Sequence, residues 1–183
     1  MVVVDIQPFY HKHHTNITPK LIEYINNSTG DVLWFHNGCN VGIEDTVIEQ
    51  KEYLLEWGMD EDRLDEIDFE EKDYAFFRGW MDTGVDEDDI ITVGKYMLKH
   101  DKNDSRDLDE DDYKNMKYDS DETEEFLSKD DPLIIPDIDL NRLKRYNNCI
   151  LAGGGRNECL EEIRLLMEML GMRYNMENRF IYG

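Results

Sequence analysis

The apolar positions of the chain fall into short blocks that alternate between two periods. Val2–Ile6 is a brief apolar run, suited to a strand covered on both faces. Thr18-Pro19 pairs a helix cap with proline at the first helical position, and Leu21, Ile22 and Ile25 form one stripe before Gly30. Asp31–Phe35 predicts a second strand, broken at Asn37-Gly38. Ile43–Trp57 has helical period, with Val47, Ile48, Tyr53, Leu54 and Leu55 inward and Gly58 as the stop. Glu66–Phe69 predicts a third strand, and Tyr74–Met81 and Asp88–Lys99 predict helices. Further on, Leu133–Ile135 predicts a strand and Leu140–Tyr146 a short helix. Cys149–Ala152 predicts another strand, and Asn157–Leu170 an amphipathic helix stopped by Gly171.

Strands alternating with helices predict the α/β class. The expected form is a doubly wound, mostly parallel sheet in a Rossmann-like three-layer sandwich, folded as a single domain over 1–183. In such sheets ligands bind beyond the carboxyl ends of the strands. That directs attention to Asp5, His36, the loop after Phe69 and the turn Gly153–Cys159.

Charge changes the picture in the middle of the chain. The 183 residues carry a formal charge of −23, and 60–131 holds −18 of it. Residues 101–131 contain 14 acids and 5 bases with little apolar periodicity, which predicts a solvated, mobile insertion. The balance argues against direct nucleic-acid binding and against docking on an anionic membrane. No run approaches the ~18 to 20 apolar residues of a spanning helix, and the N-terminus lacks the basic flank of a signal peptide. Three cysteines, Cys39, Cys149 and Cys159, fit reduced thiols in a cytoplasmic compartment.

The sharpest chemistry lies in Ala152-Gly-Gly-Gly-Arg-Asn-Glu-Cys159-Leu, where a strand runs into a helix through three glycines. With Asn157 as cap, Cys159 falls in the first turn, where unpaired amides and the helix dipole favour a thiolate. Gly154, Gly155, Arg156 and Glu158 are then candidates to contact substrate or an oxyanion. Glu158, Glu161 and Glu162 push the thiol pKa upward, and Arg156 compensates. The glycines also suit a phosphate, although the spacing is neither Walker A nor GxGxxG. The plain alternative is a tight turn with a packed cysteine.

Three separated pieces share an order with a known family. They are Val4-Asp5-Ile6-Gln7, Glu71-Lys72-Asp73-Tyr74-Ala75-Phe76, and Gly153 six positions before Cys159. This order of Asp, Lys and Cys resembles the isochorismatase-like cysteine hydrolases. Their pattern is Asp-x-Gln ending the first strand, Lys before a Ser-Ala-Phe-like segment, and Gly-x-x-Thr-x-x-Cys at a helix start. The resemblance implies hydrolysis of an amide or related bond of a small molecule. Cys159 would be the nucleophile, Asp5 its proton acceptor, and Lys72 the residue holding the two in register. Arg156 stands where the pattern has Thr, and the triple glycine is atypical. A family-like fold that has lost catalysis fits these departures as well as an active enzyme.

Other constellations compete. His11, His13, His14 and His36 all fall near strand ends and would suit zinc or a similar ion; otherwise no cofactor is implied. Asp5, Asp137 and Asp139 would suit Mg²⁺ in a PIN-like nuclease, against which the lack of a basic groove counts. The acidic middle suggests a non-catalytic interaction protein that binds a basic partner or mimics DNA, as a viral inhibitor would in a host cytoplasm. The expected partners are thus a small-molecule substrate or a basic protein, with a second copy of the chain also admissible.

Overall fold

A computed structural model describes residues 1–37, 46–72 and 76–183. Cys39, the start of the Ile43–Trp57 helix and Asp73–Ala75 of the Lys72 motif lie outside the described residues. The chain divides into two compact units. The first comprises Met1–Tyr74, Asp137–Arg164 and Met172–Gly183, and the second Ala75–Pro136 with Leu165–Gly171.

The first unit is built on a parallel sheet. Its strands are β1 (Val2–Val4), β2 (Val32–Asn37), β3 (Ile67–Lys72), β4 (Cys149–Gly153) and β5 (Tyr174–Ile181), in the order β3-β2-β1-β4-β5. Every pairing is parallel. The expected doubly wound α/β architecture is present. Strand order reverses between β1 and β4, so the carboxyl ends of these two strands flank the switch-point crevice where ligands bind in this architecture.

Val3, Trp34, Ile67 and Ala152 share one face of the sheet. They bury with Leu21, Ile22 and Ile25 of a helix at Thr18–Asn26, Tyr53 and Leu54 of a helix at Val47–Glu56, and Leu64. Val2, Val4, Leu33, Phe35 and Leu151 alternate onto the other face and are equally buried. Both faces are therefore covered, as continuous Val/Ile/Leu runs require.

Several boundaries differ from the sequence pattern for physical reasons. β1 ends at Val4 because Asp5 adopts a left-handed φ of 52°. His11–His14, expected as a loop, forms a helical turn, α1. Thr18 opens helix α2 (Thr18–Asn26) from inside it, and its hydroxyl donates to the His14 carbonyl at 2.8 Å instead of capping. Thr46 and Glu49 form a reciprocal capping box that starts α3 (Val47–Glu56), and α4 (Glu61–Asp65) follows. β5 carries no apolar alternation, since only Phe180 and Ile181 are buried along it, and the sequence pattern misses it.

The second unit holds α5 (Arg78–Asp82), α6 (Glu87–Lys99), α7 (Glu110–Asn115) and α8 (Ser120–Leu127). Residues 101–131, expected as a mobile insertion without regular structure, contain two of these helices. Their acids act as caps. Asp109 accepts from the Asp111 and Asp112 amides, and Asp119 from those of Asp121 and Glu122, each within a capping box. A stack of rings supplies the missing apolar core: Trp80 lies 5.3 Å from Phe126, and Tyr113 5.6 Å from the same ring. Leu133–Ile135 does not join the parallel sheet. Ile134 forms an isolated antiparallel bridge with Asp104.

The remaining helices are α9 (Leu140–Arg145) and α10 (Cys159–Met169). Among the described residues no helix is long and apolar enough to cross a membrane.

Candidate active site

Hydrogen bonds from backbone and side chains fix the segment following β1. Asp5 N–H donates to the Phe35 carbonyl at 3.0 Å, and Tyr182 OH donates to the Asp5 carbonyl at 2.9 Å. Trp34 Nε1 and Gln50 Nε2 both donate to the Ile6 carbonyl. His14 Nε2 meets the Gln7 carbonyl at 2.9 Å. A left-handed aspartate costs on the order of 1–3 kcal/mol, and this set of bonds holds it in place.

The turn after β4 approaches from the other side of the switch point. Gly153 has φ 108°, and a Cβ there would sit 1.9 Å from the Val4 carbonyl oxygen. A Cβ on Gly154 would meet the Tyr182 ring at 2.3 Å. These two glycines therefore allow β1 and Tyr182 to pack against the turn. The Gly154, Arg156 and Glu158 amides donate to the carbonyls of Val4, Tyr182 and Gly155. Those three N–H groups are spent within the protein, which removes the expected phosphate cradle and the expected oxyanion donors at these positions.

Asp5, Lys72 and Cys159 come together at this crevice. Lys72 Nζ lies 3.1 Å from Asp5 Oδ2, with both side chains at most 1% exposed. The same ammonium donates to Asn37 Oδ1 at 2.8 Å. Asn37 in turn donates from Nδ2 to Tyr10 OH and from its backbone N–H to Gln7 Oε1. The Cys159 thiol lies close enough to the Asp5 carboxylate for the charge of that carboxylate to act on it.

Two opposing effects set the charge states. Burial pulls the Lys72 ammonium down, but the Asp5 carboxylate, with Glu162 adding to it, holds it above its ordinary value, so it is a cation. Burial pushes the Cys159 thiol up, the Asp5 carboxylate pushes it further, and Lys72 offsets part of this. Burial and the neighbouring carboxylate thus work against the thiolate expected from a helix start and favour a protonated thiol beside Asp5. Glu162, one turn beyond Cys159 and 1% exposed, is a second buried carboxylate acting on both groups.

A cavity of about 320 Å³ opens onto Asp5 and Cys159. Tyr10, His13, Arg156, Glu158 and Tyr182 are among its walls. Of these, Tyr10 and Tyr182 carried no sequence signal, each being a single aromatic outside any motif. Burial, with Asp5 next in effect, pushes the Tyr182 phenol up, which keeps its proton available to the Asp5 carbonyl.

The histidines take separate roles. His14 is buried with Nδ1 on Thr18 Oγ1 at 2.7 Å and Nε2 on the Gln7 carbonyl, and burial lowers its pKa, so both ring nitrogens are taken up within the fold. His11 Nδ1 meets Tyr53 OH at 2.9 Å. His13 is exposed and stacks on Tyr182, while His36 is buried in β2. Asp139 caps α9 by accepting from the Arg142 amide, and Asp137 is exposed. Among the described residues no three His, Cys, Asp or Glu side chains gather in a group that could hold a metal ion.

Compared with known proteins, the chain matches no family model, no curated protein and no solved structure.

Proposed function

We propose that the chain is a cysteine hydrolase of the isochorismatase-like kind, acting on an amide or related bond of a small molecule. One observation carries this reading: Asp5 and Cys159, from distant segments, line the switch-point cavity, and Lys72, from a third, pairs with Asp5 behind it. The cavity volume is at the low end of the ~300–1,000 Å³ range of ligand pockets and suits a small substrate. The free thiols Cys149 and Cys159 suit a reducing, cytoplasm-like compartment.

In this reading Cys159 Sγ adds to the carbonyl carbon while its proton passes to the Asp5 carboxylate. The adduct collapses with cleavage of the C–N bond, and the amine leaves with that proton. Water then adds to the thioester, giving its proton to Asp5, and a carboxylic acid and the thiol are released. Lys72 is a positioning residue. Its buried ammonium orients Asp5 and balances the charge that the carboxylate carries between steps.

The test joins turnover to thiol reactivity. Ammonia release from a panel of small amides should vanish in Cys159→Ser, whose fold is unchanged. Asp5→Asn should also abolish release, yet it should speed alkylation of Cys159 near neutral pH, because the charge that raises the thiol pKa has gone. Unchanged ammonia release in Cys159→Ser would overturn the proposal. So would the absence of release from every amide combined with salt-sensitive binding to cationic proteins, which is what a non-catalytic acidic interaction protein would do.

A further inference from the structure

Arg156 differs from most arginines of the first unit. In a chain of charge −23, most arginines sit within ion-pair distance of a carboxylate, Arg63, Arg142 and Arg164 among them. Arg156 lines the cavity, yet among the described residues no carboxylate lies within 4.0 Å of its guanidinium. Its side-chain bond goes instead to the neutral amide oxygen of Asn178, 2.8 Å from Nη2. Its backbone is anchored by donation to the Tyr182 carbonyl at 3.0 Å, which fixes where the side chain starts. The other charged groups on the cavity wall are acidic. Asp5 is matched by Lys72, and the Glu158 carboxylate folds back over Gly155, with Oε2 2.9 Å from where a Cβ would be. Tyr10 and Tyr182 add aromatic rings to the walls, with His13 and Asn157 beside them.

We propose that this cavity takes a flat organic acid, its carboxylate gripped by Arg156 and its hydrolysable group turned toward Cys159. The inference rests on the hydrolase reading for the second half of that statement and stands without it for the first. A guanidinium presents a fork of donors matched to a carboxylate, and forming that pair costs no existing ion pair. Glu158 sits on the same wall and opposes any anion, so it sets the affinity without setting the preference.

Benzoate and benzamide are probes of the same shape that differ in charge. Their binding, titrated by NMR on the full chain, needs no turnover and applies equally to Cys159→Ser. Benzoate should bind about tenfold more tightly than benzamide, the scale of one charge-assisted contact. Arg156→Gln should erase the difference, Arg156→Lys should restore part of it, and Glu158→Gln should tighten benzoate alone. Equal binding of the two probes, no binding of either, or a preference that survives Arg156→Gln would each overturn the carboxylate site. If the preference holds while no carboxylated amide is hydrolysed, the binding site stands and the hydrolase reading fails.

Discussion

The two units of this chain spend their charges in opposite ways. In the first, Asp5, Lys72 and Glu162 are buried, each at most 3% exposed, around one thiol. In the second, exposed acids stand at helix starts, where Asp109 and Asp119 each satisfy two backbone amides. Buried charges cost several kcal/mol each unless they are paired, on the order of magnitude of a whole domain's stability. Capping acids cost almost nothing to hold and contribute about 1 kcal/mol each. A fold retains the first arrangement where the electrostatics serve chemistry, and the second where they serve local structure.

The largest break in this contrast should come from Lys72→Met, which strands the Asp5 carboxylate in the interior. Removing one partner of a buried pair costs about 3–5 kcal/mol. Urea unfolding should reveal a loss of that size, and Asp5→Asn with Lys72→Met together should recover much of it. A loss below about 1 kcal/mol, typical of surface pairs, would mean that the pair is solvated.

A smaller effect is expected at the caps. Asp119→Ala removes the acceptor for the Asp121 and Glu122 amides and should cost about 0.5–2 kcal/mol. Amide exchange should rise locally at the start of α8 while Cys159 alkylation stays unchanged. A change in that alkylation would show that the two uses of charge are not separate.

The smallest effect concerns pH. Asp112 is held at about 2, first by the Lys102 ammonium that bonds its carboxylate. A depressed carboxylate stabilises the fold above its unfolded pKa of about 3.9 and loses that contribution as pH falls toward its folded value. The window is therefore roughly pH 4 down to pH 2, and Asp112→Asn should flatten the stability profile there. The pair keeps some contact with solvent, so the change should be modest. Lysine and tyrosine at this site, Lys102 and Tyr96, should show no titration in the same window.

Much of the first unit was legible because parallel strands buried on both faces write themselves as Val/Ile/Leu runs. Val2–Val4, Val32–Phe35 and Cys149–Ala152 are such runs. Asp5 and Cys159 were legible by position, since strand ends at a switch point collect ligand groups. β5 was not, because an edge strand with Asn175, Glu177, Asn178 and Arg179 has no alternation to read. The helices of 101–131 escaped for a related reason. Each is too short for a stripe, and their core is three rings at irregular spacing, Trp80, Tyr113 and Phe126. The glycine turn was legible as a strand-to-helix junction, but the partners of three of its amides were not. Only the structure tells that Val4, Tyr182 and Gly155 accept from them.

The contact between Gly154 and Tyr182 carries a consequence for how this sequence can vary. The ring lies where any side chain at 154 would begin, and its hydroxyl donates to the carbonyl of the proposed base, so neither position can drift alone. A lineage that acquired alanine at 154 would have to give up the tyrosine, and with it one tether on Asp5. The two sites are thus expected to change as a pair, and their joint identity would tell which descendants keep a restrained aspartate.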